Sequence, residues 1–130
     1  MAVTVCASCG TTADLLGWRV SWYDRRARRI CTQCADSLLG DYEGRKIAAT
    51  DLGNGVTIST VCLVLGGVSA LVDDVPTAEL YESMVFGGFM DRWCWRYATE
   101  EAALAGHDQL VMIVRDHAKE IAQLEENFRE

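Results

Sequence analysis

The sequence predicts an α+β fold: a small cysteine-anchored module, then a three-stranded antiparallel meander carrying one long C-terminal helix. Three observations predict it. Four cysteines near the N-terminus fall into two Cys-x-x-Cys pairs, three glycine-punctuated runs downstream are rich in β-branched and aromatic residues, and a capped amphipathic stretch closes the chain. A chain of 130 residues suffices for one domain or for a small stapled module joined to a compact partner. The expected units are residues 1–48 and 55–130.

The pairs are Cys6-Ala-Ser-Cys9 and Cys31-Thr-Gln-Cys34, separated by 21 residues. Two cysteines with two residues between them can aim both sulfurs at one metal from a tight turn, and two such pairs complete the tetrahedral shell that zinc prefers. Gly10 suits the turn after the first pair. The intervening segment reads as a hairpin. Gly17 to Tyr23 and Arg28-Arg29-Ile30 are its arms, and Asp24-Arg25-Arg26-Ala27 is its turn. Thr32 to Leu39 reads as a short helix ended by Gly40. A knuckle, a hairpin and a helix bearing the last two ligands make a treble-clef or zinc-ribbon-like module.

One structural Zn2+ on Cys6, Cys9, Cys31 and Cys34 is therefore expected. Four thiolates also suit an iron–sulfur cluster, which is the alternative. Disulfides are disfavoured where thiols stay reduced, and a thioredoxin-type pair calls for one motif rather than two. A catalytic zinc keeps an open position, usually beside His or a carboxylate, whereas all four ligands here are cysteines and neither histidine lies nearby.

Five arginines lie within the eleven residues from Arg19 to Arg29, interleaved with Trp22 and Tyr23. Arg19, Trp22, Arg25, Arg26, Arg28 and Arg29 form a candidate contact surface for nucleic acid or for an acidic protein. The plainer alternative is a short hairpin with arginines in water and aromatics over the metal site.

From Val56 the character changes. Val56 to Val64, Glu79 to Phe86 and Arg92 to Tyr97 read as three strands, the second stopped by Gly87-Gly88. The segment from Asp41 to Asn54, with its scattered glycines, reads as an irregular connection. Thr99 is a good N-cap, and Glu100 and Glu101 suit the positive end of a helix. Leu104, His107, Leu110, Val111, Val114, Ala118, Ile121 and Phe128 recur at helical spacing as one apolar stripe. Gly106 interrupts it, which implies close packing. Cys62 and Cys94 read as small buried hydrophobes, and His107 and His117 as packed or surface residues.

Half the residues are hydrophobic and 24% are charged, which excludes wholesale disorder. The net charge of −7 is unevenly placed. The first fifty residues carry seven basic and five acidic side chains, and the rest carry five and fourteen. That balance speaks against indiscriminate nucleic-acid coating but leaves room for a small basic reader in the first half. No basic stretch followed by an apolar run opens the chain, and Val61 to Val72 is too short to span a bilayer. A cytoplasmic protein is expected.

Val56-Thr57-Ile58-Ser59-Thr60-Val61, Leu80 to Gly88 and Arg96 to His107 together resemble small bacteriophage proteins, including those of actinobacterial phages. These carry a Ser-Thr-Val strand, a Glu-Thr-Met-Val-Phe-Gly-Gly-like strand and a Thr-Glu-Glu-Ala-Leu-Ala-Gly-His-like helix start. The resemblance covers roughly residues 56–115, and the front half is similar to four-cysteine modules of the same sources. It implies a phage source and the cytoplasm of a bacterial host, and supplies no mechanism. The chain departs from the pattern at Leu65 to Val72, an apolar loop suited to partner contact.

The expected function is a non-enzymatic accessory protein that binds, and in one version inhibits, a host or phage macromolecule. No glycine-rich phosphate loop, nucleophile elbow or His-Glu-x-x-His pair is present. A nucleic-acid-binding or transcription-related protein is the first alternative. A nuclease holding a divalent ion on Glu79, Glu82 and Asp91 is the second. Exposed strand edges and the long helix leave a homodimer open.

Overall fold

The computed structural model describes residues 3–14, 22–65, 71–72, 75–76 and 79–127. Arg19, the start of the expected hairpin, most of the loop from Leu65 to Val72, and Phe128 lie outside the described residues.

β1 (Val3–Val5) pairs antiparallel with β2 (Thr12–Asp14), and the first cysteine pair occupies the turn between them. β3 (Trp22–Tyr23) and β4 (Arg29–Ile30) form the second ribbon around the Asp24–Ala27 turn. Asp24 shapes that turn by accepting from the N–H groups of Arg26 and Arg28 at 3.0 and 2.9 Å. α1 (Thr32–Leu39) follows at once, as its polar-then-apolar run predicts, and a single turn, α2 (Tyr42–Arg45), is capped by the Asp41 carboxylate.

The main sheet has four strands rather than three. β5 (Lys46–Gly53), β6 (Val56–Cys62), β9 (Tyr81–Phe86) and β10 (Cys94–Tyr97) lie in the order β10-β9-β6-β5, all antiparallel. A short ribbon of β7 (Leu71–Val72) and β8 (Val75–Pro76) sits between β6 and β9 in the chain. The strand that sequence reasoning read as a connection is β5. Its Ala48-Ala49 pair, Asp51 and Gly53 obscure a period of two, and it is kinked by register shifts at Lys46/Ala48 and Asp51/Gly53. Its turn was nevertheless legible: Asn54-Gly55 is the two-residue hairpin signal, with φ of 55° and 78°.

α3 (Glu100–Asn127) crosses one face of this sheet. The Thr99 hydroxyl accepts from the Ala102 N–H at 3.1 Å, so the expected cap is in place. Ala103, His107, Leu110, Val111 and Val114 are the buried residues of the helix, whereas Leu104 is exposed. A β-carbon on Gly106 would collide with the Tyr97 ring, which is the close packing its presence implied. At about 1.5 Å per residue the helix is ~42 Å long. It outruns the sheet, and no described residue after Val114 is buried.

Two clusters of buried side chains hold the molecule together. Ile58, Val85, Met90, Leu110, Val111 and Val114 pack between sheet and helix. The other cluster joins Cys6, Ile30 and Ala35 to Cys62, Val64, Leu80, Tyr81 and Ala103. Tyr81 is fully buried, and its hydroxyl donates to the Arg25 carbonyl at 2.7 Å. The cysteine module therefore shares its core with one end of the sheet. Cys62 is buried as expected, but Cys94 is exposed, because β10 is an edge strand and its outward face is uncovered.

Candidate metal centre

The four predicted ligands converge. The Sγ atoms of Cys6, Cys9, Cys31 and Cys34 all lie within 4.8 Å of one another, and those of Cys9 and Cys31 are 3.8 Å apart. A tetrahedral shell with Zn–S bonds of about 2.3 Å requires sulfur–sulfur edges of about 3.8 Å. A disulfide would require about 2.0 Å. The spacing therefore fits a shared ion and excludes the bonded alternative for that pair.

Local structure explains the convergence. After β1 the chain turns through Cys6 to Gly10, where the Gly10 N–H donates to the Cys6 carbonyl at 2.9 Å and Gly10 adopts φ of 79°. The Ala7 N–H donates to the Arg29 carbonyl at 3.0 Å, which docks this knuckle on β4. Cys31 is the N-cap residue of α1, and Cys34 is three residues on, so both face the same way from the first turn. The positive end of the helix also favours thiolates there.

The electrostatics favour a cation among the sulfurs. Burial pushes the Cys6 thiol up, yet the backbone N–H groups of Cys9, Cys31 and Ser8 overcome this and lower it to about 6. The Cys31 N–H lies 3.3 Å from the Cys6 sulfur. Cys9 is lowered chiefly by the Thr11 hydroxyl, 3.1 Å from its sulfur. Cys34 gains from the Ser8 hydroxyl, but the sulfurs of Cys31 and Cys9 drive it up to about 12. Crowded thiolates repel one another, and only a cation among them lets all four ionise together.

The residues fit one metal ion. Cys6, Cys9, Cys31 and Cys34 would hold it, and zinc there would supply a rigid crosslink between knuckle and helix. Among the described residues no histidine or carboxylate joins the cluster. With four thiolates as ligands the shell is closed, leaving no coordination position for a reacting water.

The arginine surface is divided. Arg25 and Arg26 are exposed at the hairpin turn. Arg28 is engaged with Asp24 at 2.9 Å, and Arg29 is half-buried. Trp22 and Tyr23 are half-buried against the shared core, so they cover the module. Two of the three carboxylates of the nuclease reading are otherwise engaged. Glu82 pairs with Arg96 at 2.9 Å, and Asp91 accepts from the Gly87 N–H at 2.7 Å. Glu79 is exposed, and among the described residues these acids form no group close enough to share an ion.

Sequence reasoning missed the polar side chains around the sulfurs, Ser8 and Thr11, for which only their proximity to the first pair was a signal. It also missed a buried network under α3. His107 is 2% exposed, and its Nδ1 and Nε2 share hydrogen bonds with the hydroxyls of Thr60 at 2.7 Å and Thr50 at 2.9 Å. Thr60 in turn bonds Ser83. Burial lowers the His107 pKa, and every ring nitrogen has a partner. This is a satisfied core histidine.

Comparison with family models, curated proteins and solved structures gives no match. The resemblance to phage proteins over residues 56–115 finds no support there. No helix among the described residues is long and apolar enough to cross a membrane.

Proposed function

We propose that this chain is a zinc-binding, non-enzymatic accessory protein whose treble-clef-like module presents a small surface to a macromolecular partner. The observation that carries the metal is the tetrad of sulfurs within 4.8 Å. The order knuckle, ribbon, helix supports the treble-clef reading over a ribbon, because Cys31 and Cys34 ride on the start of α1. The all-cysteine shell supports a structural role over a catalytic one. A phage-encoded protein acting on a host or phage protein in the bacterial cytoplasm, by inhibition in one version, rests on the sequence resemblance alone.

The test is capture of partners by the tagged, zinc-loaded chain from infected-host lysate, with and without nuclease. A stoichiometric protein that survives nuclease supports the proposal, and a metal-dependent turnover in the purified chain overturns it. A second reading is favoured by Arg25 and Arg26, both exposed at the β3–β4 turn. It assigns nucleic acid as the partner, with binding that falls steeply with salt and weakens in Arg25→Ala/Arg26→Ala. Binding indifferent to those changes removes that reading.

A further inference from the structure

The two edges of the main sheet are built differently. β5 carries two register shifts, and such irregularities discourage a further strand from pairing. β10 pairs with β9 through four consecutive residues without a shift, and among the described residues no strand pairs with its other side. Around that open side stand exposed aromatics: Trp93 is 51% and Trp95 38% exposed, with ring centroids 6.0 Å apart. Trp95 and Tyr97 border a shallow groove with Gly106, Gln109 and Ile113 of α3, and Ile113 is exposed as well.

From this we infer that β10 is a self-association edge, and that a second copy of the chain pairs with it antiparallel about a twofold axis through Trp95. The backbone selects the residues. The Val85 N–H donates to the Trp93 carbonyl at 2.9 Å, so the Trp93 C=O faces β9, while its N–H donates to the Met90 carbonyl at 3.0 Å. Alternation along an antiparallel ladder then turns the N–H and C=O groups of Cys94 and Arg96 outward.

Directly opposed residues lie on the same sheet face, so self-pairing must centre on a residue rather than between two. Centring on Cys94 opposes Arg96 to Arg92 of the second copy, and centring on Arg96 opposes two arginines. Like charges in direct opposition destabilise a sheet. Centring on Trp95 opposes Cys94 to Arg96, Trp95 to itself and Trp93 to Tyr97, with no like-charge pair. Cys94 and Arg96 then exchange four backbone hydrogen bonds across the seam. Glu82 already neutralises Arg96 within each copy at 2.9 Å.

The aromatic surface available sets the strength. Two half-exposed tryptophans with their neighbours cover roughly 300–400 Å² per copy, about half of the ~800 Å² per partner in a stable complex. An area that small points to a weak, reversible dimer rather than an obligate one.

The experiment is sedimentation of the full, zinc-loaded chain from roughly 10 μM to 1 mM. A monomer–dimer equilibrium is expected. Trp95→Glu should weaken it roughly 30-fold or more with unchanged circular dichroism and zinc content, while Ala49→Glu on the β5 edge leaves it intact. Trp95→Cys in a Cys94→Ser background keeps the proposal testable should Trp95→Glu fold poorly. Mild oxidation should then link position 95 of two chains, as opposed non-hydrogen-bonded positions allow. A monomer throughout the range, a dimer that Trp95→Glu leaves intact, or a folded Trp95→Cys chain that does not crosslink at position 95 overturns the inference.

Discussion

Among its described residues the cysteine module buries only Cys6, Ile30 and Ala35, whereas Ile58, Val85, Met90, Leu110, Val111 and Val114 pack together between sheet and helix. Below about 40 residues a chain rarely buries enough apolar surface to fold alone. The module meets that shortage twice, with four converging thiols and by borrowing Tyr81 from β9 and Val64 from just past the end of β6. The sheet–helix region needs neither device. With a metal on the four thiols, one region would lean on coordination and the other on packing, so each should fail under a different insult.

The largest effect should follow metal removal. Structural zinc contributes on the order of 10 kcal/mol in small modules. Chelation, or Cys6→Ser, should collapse amide dispersion for residues 5–39 in NMR spectra while α3 keeps its helical signals. Persistence of the module spectrum without metal would break the contrast. Next comes Ile58→Ala, which leaves a cavity between β6 and α3 and should cost about 2–5 kcal/mol in denaturant unfolding. Zinc affinity should not change.

These two regions also differed in how readily their sequences could be read. The paired Cys-x-x-Cys spacing foretold the convergence of the four cysteines, and the Thr99 cap, the stripe from His107 to Val114 and the Gly87-Gly88 stop were each visible as local chemistry. β5 was not, because Ala48, Ala49 and Asp51 carry little hydrophobic period and its pairing is decided by β6. Leu104 and Cys94 misled for a related reason. Periodicity marks a face, but which part of the face is covered depends on where the sheet ends.

A smaller effect is expected from Gly106→Ala. Better helix propensity favours it by about 1 kcal/mol, but the new methyl meets the Tyr97 ring. Overpacking costs of about 1–3 kcal/mol should win, giving a slightly less stable chain by thermal unfolding. The smallest effect belongs to His107. Its folded pKa lies below the usual 6.5, so the unfolded chain binds the proton more readily. Stability from this group is complete above pH 6.5 and declines as pH falls toward the folded value. The slope stays below about 1.4 kcal/mol per pH unit, since fewer than one proton is involved. Comparing His107→Gln with the native chain across that window isolates it from acid release of the metal.

We propose that one zinc ion binds among Cys6, Cys9, Cys31 and Cys34, whose sulfurs lie within 4.8 Å of one another. X-ray absorption at the zinc edge of the purified chain tests it most directly. One zinc per chain with four sulfurs at about 2.3 Å is expected. Nitrogen or oxygen in the shell, or an iron edge in place of zinc, would contradict it.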